Sequence, residues 1–153
     1  MRGFADDSRI HRRLIDTLYV DAMVLADEAR SYFDEGGREE REMLDPLARV
    51  SFSCESLKVT TRLMHIIAWL LTQRAIDAGE LQPRDALDPS RRLGPAPVSD
   101  AAAILAMPRQ AQGLIASSTE LYRRVALLDG AQADDAVMIS PARSMYDRLA
   151  RAF

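Results

Sequence analysis

Five polar or amphipathic residues, Lys58, Arg62, His65, Trp69 and Gln73, recur every three or four positions along the otherwise apolar stretch SLKVTTRLMHIIAWLLTQRAIDAGE, residues 56–80. At about 100° per residue in a helix they fall on one stripe, with Glu55 and Thr72 beside them. Two kinds of chemistry fit such a row. A histidine can bind a metal or act as a general base; an exposed tryptophan flanked by arginine and histidine has the composition of a protein-binding hot spot.

The catalytic version lacks partners. Within one helical turn of His65 stand Arg62, Leu63, Met64, Ile66, Ala68 and Trp69, with Thr61 as the oxygen group, so no ligand set assembles there. His11, the other histidine, belongs to a different segment and sits next to Arg12 and Arg13, which makes a two-histidine site improbable. The acidic pairs Asp6–Asp7, Asp27–Glu28 and Asp134–Asp135 are adjacent, and adjacent residues on a helix diverge. No glycine-rich phosphate loop, nucleophile elbow or His-Glu zinc motif occurs. Neither a catalytic residue nor a cofactor or metal site is expected. Trp69 keeps two readings: tucked beneath a loop with its N–H on a carbonyl, or offered to a partner.

The row needs a helix to carry it, and the surrounding sequence supplies several. The chain has 153 residues, 48% hydrophobic and 28% charged, which suits one domain rich in helix formers. Ile15, Leu18, Ala22, Leu25, Ala29 and Tyr32 form the seam of a first helix near 8–35, with Asp7 or Ser8 at its cap and Gly36 and Gly37 at its stop. Asp45 and Pro46 start a second helix near 46–79. Its four-three spaced positions Val50, Cys54, Leu57, Thr61, Met64, Ala68, Leu71 and Ala75 are assigned to the core. Met107, Ala111, Leu114, Ser118, Leu121, Val125 and Leu128 mark a third helix near 108–129, ended by Asp129 and Gly130.

Between the second and third helices, the proline-rich segment 80–99 reads as a mobile loop, and Ser99 or Asp100 can cap a short turn through AAAILAM. Residues 131–153 read as a flexible tail with a short helix near 141–151, capped by Ser140 and carrying Pro141, Met145, Tyr146, Leu149 and Phe153. The expected fold is all-α: an antiparallel up-down-up three-helix bundle. Apolar residues cover well over half of the second helix, and a second copy of the chain would bury them, so a homodimer is expected.

Composition limits the partners. The formal charge of −3 opposes nucleic acid and anionic membranes, and no short helix-turn-helix with a basic second helix can be drawn. Leu63–Gln73 is too short a charge-free run to span a bilayer, which takes about 20 residues. One cysteine, Cys54, read as a small buried residue, and an N-terminus without a signal-like apolar core point to the cytoplasm.

Beyond periodicity, LYVDAMVLADEARSYFD, SCESLKVTTRLMHIIAWLLTQRAIDAGE and STELYRRVALLD closely resemble the three helices of the RcdA family, alphaproteobacterial regulators of CtrA degradation. Thr60, Thr61, Arg62, Leu63, Trp69, Gln73 and Arg74 carry the most specific part of that likeness. The resemblance implies a helical dimer without catalytic activity. It would act as an adaptor that, with a response-regulator-like adaptor, delivers cell-cycle regulators as cargo to the ClpXP protease; in some members a cyclic-di-GMP-binding protein extends the hierarchy. It transfers no contact residues. The partner-binding candidates, Lys58, Arg62, His65 and Trp69 on the row and Met145, Tyr146 and Leu149 in the tail, come from the residues themselves. A structural dimerisation module and a DNA-binding regulator are the alternatives.

Overall fold

The computed structural model describes residues 2–152, and among them there is no strand. Helix α1 spans Arg2–Ser31 and runs into a π-helical turn, Tyr32–Gly36. A short α2, Arg38–Glu42, precedes the long α3, Pro46–Asp77. A 3₁₀ turn, Pro83–Leu87, and the short α4, Ala101–Leu105, lie in the connection to α5, Arg109–Ala152. Helix α1 begins earlier than the expected cap, because nothing in residues 4–30 breaks a helix; Asp7 and Ser8 lie within it. Phe153 and the side chains of Ser140 and Pro141 lie outside the described residues.

Local chemistry sets the ends of α3. The Asp45 carboxylate accepts from the Ala48 N–H at 2.8 Å, satisfying one of the unpaired donors of the first turn, and Pro46 occupies the position where a missing N–H costs nothing. At the other end Gly79 adopts φ +78°, a conformation open to glycine without Cβ strain. That turn lets the Glu80 and Leu81 N–H groups reach back to the Ala75 carbonyl at 2.9 and 3.3 Å.

Helices α1, α3 and α5 pack on one another around one core. Their directions differ from the up-down-up expectation. Arg12 meets Asp77, Arg74 meets Asp16, and Tyr32 meets Phe52, so α1 and α3 are antiparallel. Arg62 meets Ser118, Trp69 meets Asp129, and Gln73 meets Gln132, so α3 and α5 run parallel. The proline-rich segment makes this possible. It returns along α3 as an extended strap: Arg92 lies at Asp129 beside Trp69, Gly94 beside His65, Pro97 at Arg62, Val98 at Lys58 and Ser99 at Glu55. Lengths agree with that path. Residues 55–69 of α3 cover about 21 Å at about 1.5 Å per residue, and residues 92–99, extended at about 3.1 Å per residue, cover about 22 Å.

The first and third seams face the core as their spacing requires: Ile15, Leu18, Ala22 and Ala29 on α1 with Tyr32 in the π-helical turn after it, and Ala111, Leu114, Ser118, Leu121 and Val125 on α5. The seam assigned to α3 does not. Val50, Leu57, Met64 and Leu71 are exposed, as is Cys54, and the buried face comprises Phe52, Glu55, Val59, Arg62, Leu63, Ile66, Trp69, Leu70 and Gln73. The physical reason is that α3 has two apolar arcs, and partners on α5 and the strap satisfy the polar row on the inward one. Tyr32, Phe33 and Phe52 cluster at one end with ring centroids 5.2–6.0 Å apart. Helix α5 passes Asp129 and Gly130 without a break, since Asp129 is engaged elsewhere and one glycine costs a helix only about 1 kcal/mol. The stretch expected as a tail with its own short helix thus forms the last turns of α5.

Candidate functional site

The polar row of α3 faces inward and forms polar layers against α5 and the strap. In the first, Glu55 and Arg62 are both 2% exposed. Arg62 donates from Nε to the Pro97 carbonyl at 3.2 Å, from Nη1 to Ser118 Oγ at 3.2 Å and from Nη2 to Ser99 Oγ at 2.5 Å. Ser99 Oγ in turn donates to Glu55 Oε2 at 2.5 Å. Lys58 Nζ bridges Glu55 Oε1 at 3.2 Å and the Val98 carbonyl at 3.1 Å. Burial lowers the pKa of the Arg62 guanidinium, and the Glu55 charge partly offsets this.

The second layer centres on Asp129. Its Oδ1 accepts from Trp69 Nε1 at 3.0 Å, and Arg92 closes on both its oxygens at 2.9–3.1 Å. Hydrogen bonding to Asp129 raises the pKa of Arg92. Next to it, the Tyr122 hydroxyl donates to the Gly94 carbonyl. Burial pushes the Tyr122 phenol up, an effect partly offset by a backbone hydrogen bond from Ala96. In the third layer, the Gln73 and Gln132 amides exchange hydrogen bonds at 3.1 and 2.8 Å.

These bonds correct the reading of the row as a partner-facing stripe. Arg62 and Trp69 are buried and committed to internal partners, so neither is presented at the surface. Trp69 lies at the strap, and its N–H meets a carboxylate of α5 instead of a carbonyl. Lys58 and His65 are half-buried at the edge of the strap; His65 sits against Gly94, and its Nδ1 has no hydrogen-bond partner. Met145, Tyr146 and Leu149 are exposed on the last turns of α5. The candidates therefore do not converge on one site.

The bonds that hold the strap to α3 and α5 form a latch, and sequence reasoning missed Glu55, Arg92, Ser99, Ser118, Tyr122 and Asp129 as parts of it. A signal existed: Ser118, Tyr122, Val125, Asp129 and Gln132 on α5 step by four and three, like the row on α3.

Among the described residues no group of three or more His, Cys, Asp or Glu side chains could hold a metal, and no helix is long and apolar enough to cross a membrane. A cavity of about 730 Å³ opens where α1, α3 and α5 meet the 3₁₀ turn, and His11, Asp77, Arg84 and Asp135 line it. His11 and His65 are in different hollows.

This geometry defines an all-helical protein built on three long packed helices and an internally latched strap. The chain belongs to the family described as Protein of unknown function (DUF1465), whose model matches residues 6–153. Its structure is similar to the crystal structure of RcdA from Caulobacter crescentus CB15, with a TM-score of 0.64 and 32% identity over 78% of this chain and 90% of that one. The family is thus RcdA-like. None of the curated proteins matches the chain.

Proposed function

We propose that the chain is a non-enzymatic adaptor of the RcdA kind, working in the cytoplasm to help deliver cell-cycle regulatory proteins to the ClpXP protease beside a response-regulator-like adaptor. The observation that carries this is the 32% identity to RcdA over 90% of that chain. An adaptor needs only separate interfaces on one body, because joining cargo and protease raises their effective concentration. Two exposed features suit that role. Met145, Tyr146 and Leu149 present apolar surface at the end of α5, past the level at which α3 ends. Leu47, Val50, Leu57, Met64 and Leu71 line the outer face of α3 at heptad spacing. A contiguous apolar face of that kind is uncommon on a monomer, and it is the surface we assign to a homodimer.

Reconstituted degradation of a fluorescent cargo by the protease, with the response-regulator-like adaptor present, tests the reading. Adding this chain should accelerate cargo loss, and Met145→Asp with Tyr146→Asp and Leu149→Asp should abolish the gain while the circular dichroism spectrum is retained. Cargo loss that is indifferent to the chain would refute the adaptor role. Loss that is accelerated equally by the triple variant would remove only the α5 contact.

A further inference from the structure

The groove between α3 and α5 grips the strap mainly by its backbone. Lys58, Arg62 and Tyr122 donate to the carbonyls of Val98, Pro97 and Gly94. The Val98 side chain faces solvent and is 85% exposed. Ser99 is the residue of the 94–99 segment whose side chain is hydrogen-bonded into the groove, to Glu55 and Arg62. Pro95 and Pro97 have no N–H and hold the chain extended, so the segment offers acceptors and asks for few. A wall of side-chain donors facing a row of proline-spaced carbonyls resembles the way polyproline-type ligands are held, with His65, Trp69 and Tyr122 as the aromatic lining.

We propose that this groove is a docking site for an extended, proline-containing segment of a partner protein that ends in a hydroxyl residue, and that residues 94–99 occupy it in cis. Because recognition runs through carbonyls and not through Val98, the donors accept any segment that presents the same row. The strap competes at an effective concentration on the order of millimolar, so the site is masked until the strap is released. Arg92 on Asp129 fixes the start of the strap without supplying any of the groove's three carbonyl-binding donors. The proposal is independent of the adaptor role, since its readout is a peptide affinity and not cargo loss.

The probe is a fluorescein-labelled peptide of residues 93–100, LGPAPVSD, titrated by anisotropy against three full-length proteins: the unaltered chain, Arg92→Ala, and a variant with residues 94–98 replaced by an equal length of Gly and Ser. The replaced variant should bind at least tenfold more tightly than the unaltered chain, with Arg92→Ala between them. Adding Tyr122→Phe to the replaced variant should weaken binding several-fold, as should alanine at both prolines of the peptide. Equal affinity for all three proteins, or no saturable binding to variants whose helical circular dichroism is intact, would overturn the proposal. Should the replaced variant fail to fold, Arg92→Ala decides: a gain over the unaltered chain supports the site, and no gain overturns it.

Discussion

Replacing Arg62 by methionine removes the centre of the first polar layer while keeping a side chain of similar length. The guanidinium is 2% exposed and gives hydrogen bonds to Pro97, Ser99 and Ser118. Glu55 is joined to Arg62 through Ser99 Oγ and not by a direct ion pair, so the cost of the deletion is that of buried polar groups left without a partner, about 1–3 kcal/mol for each. Here Glu55 keeps Lys58 at 3.2 Å and Ser99 at 2.5 Å, which lessens the penalty. We expect Arg62→Met to lose about 2–4 kcal/mol, or roughly 5–15 °C in Tm for a domain of this size. Lys58 is 30% exposed at its side chain while Arg62 is buried, so Lys58→Met should cost less than Arg62→Met. Urea unfolding followed by circular dichroism gives each value, and the Glu55→Gln partner closes a double-mutant cycle. The double variant should be less destabilised than the sum of the singles, because each single leaves a buried group without its counterpart. If Arg62→Met unfolds within about 0.5 kcal/mol of the unaltered protein, Arg62 does not hold the strap and the latch is refuted.

Other perturbations address other links. A Cβ on Gly37 would lie 2.8 Å from Tyr32 Cζ and 2.9 Å from the Tyr32 carbonyl, so Gly37→Ala should destabilise by about 1–3 kcal/mol in thermal unfolding. Burial and the Glu40 hydrogen bond raise Tyr32, and burial raises Tyr122, above the ordinary phenol value of 10.0. The folded state thus holds these protons more tightly than the unfolded one. Their contribution is fully present below that value and is lost as pH climbs above it. Urea midpoints should therefore fall above about pH 10, less steeply for Tyr122→Phe. Leu57→Glu with Met64→Glu, both on the exposed face of α3, should shift sedimentation from dimer to monomer and leave helical content unchanged; a dimer that persists would place the contact elsewhere.

Much of the helical framework is readable from residues. Asp45–Pro46 and Gly79 bound α3 by capping chemistry that acts within one turn. The seams of α1 and α5 are legible because each of those helices has a single apolar stripe facing polar residues. Helix α3 defeats the same rule, because apolar residues surround it: Leu57 and Met64 keep the heptad spacing yet face outward, while Arg62 and Gln73 are inside. Periodicity counts hydrophobic positions and is blind to a buried polar residue whose partner lies far along the chain. Arg62 finds Ser118, Trp69 finds Asp129, and Arg92 finds Asp129 only after folding. The direction of α5 was hidden for a related reason. Prolines announce an extended segment, but not that it will travel back along the helix it has just left.

The central claim is that the row on α3 looks inward and holds the strap. Trp69 is the only tryptophan in the chain, so its fluorescence reports on that row alone. With the indole 2% exposed and its N–H on Asp129, the native protein should show blue-shifted emission that resists acrylamide quenching. Loosening the strap with Arg92→Ala should increase the quenching while the helices remain. Native emission at the wavelength of the urea-unfolded chain, quenched as readily as free indole, would contradict the account.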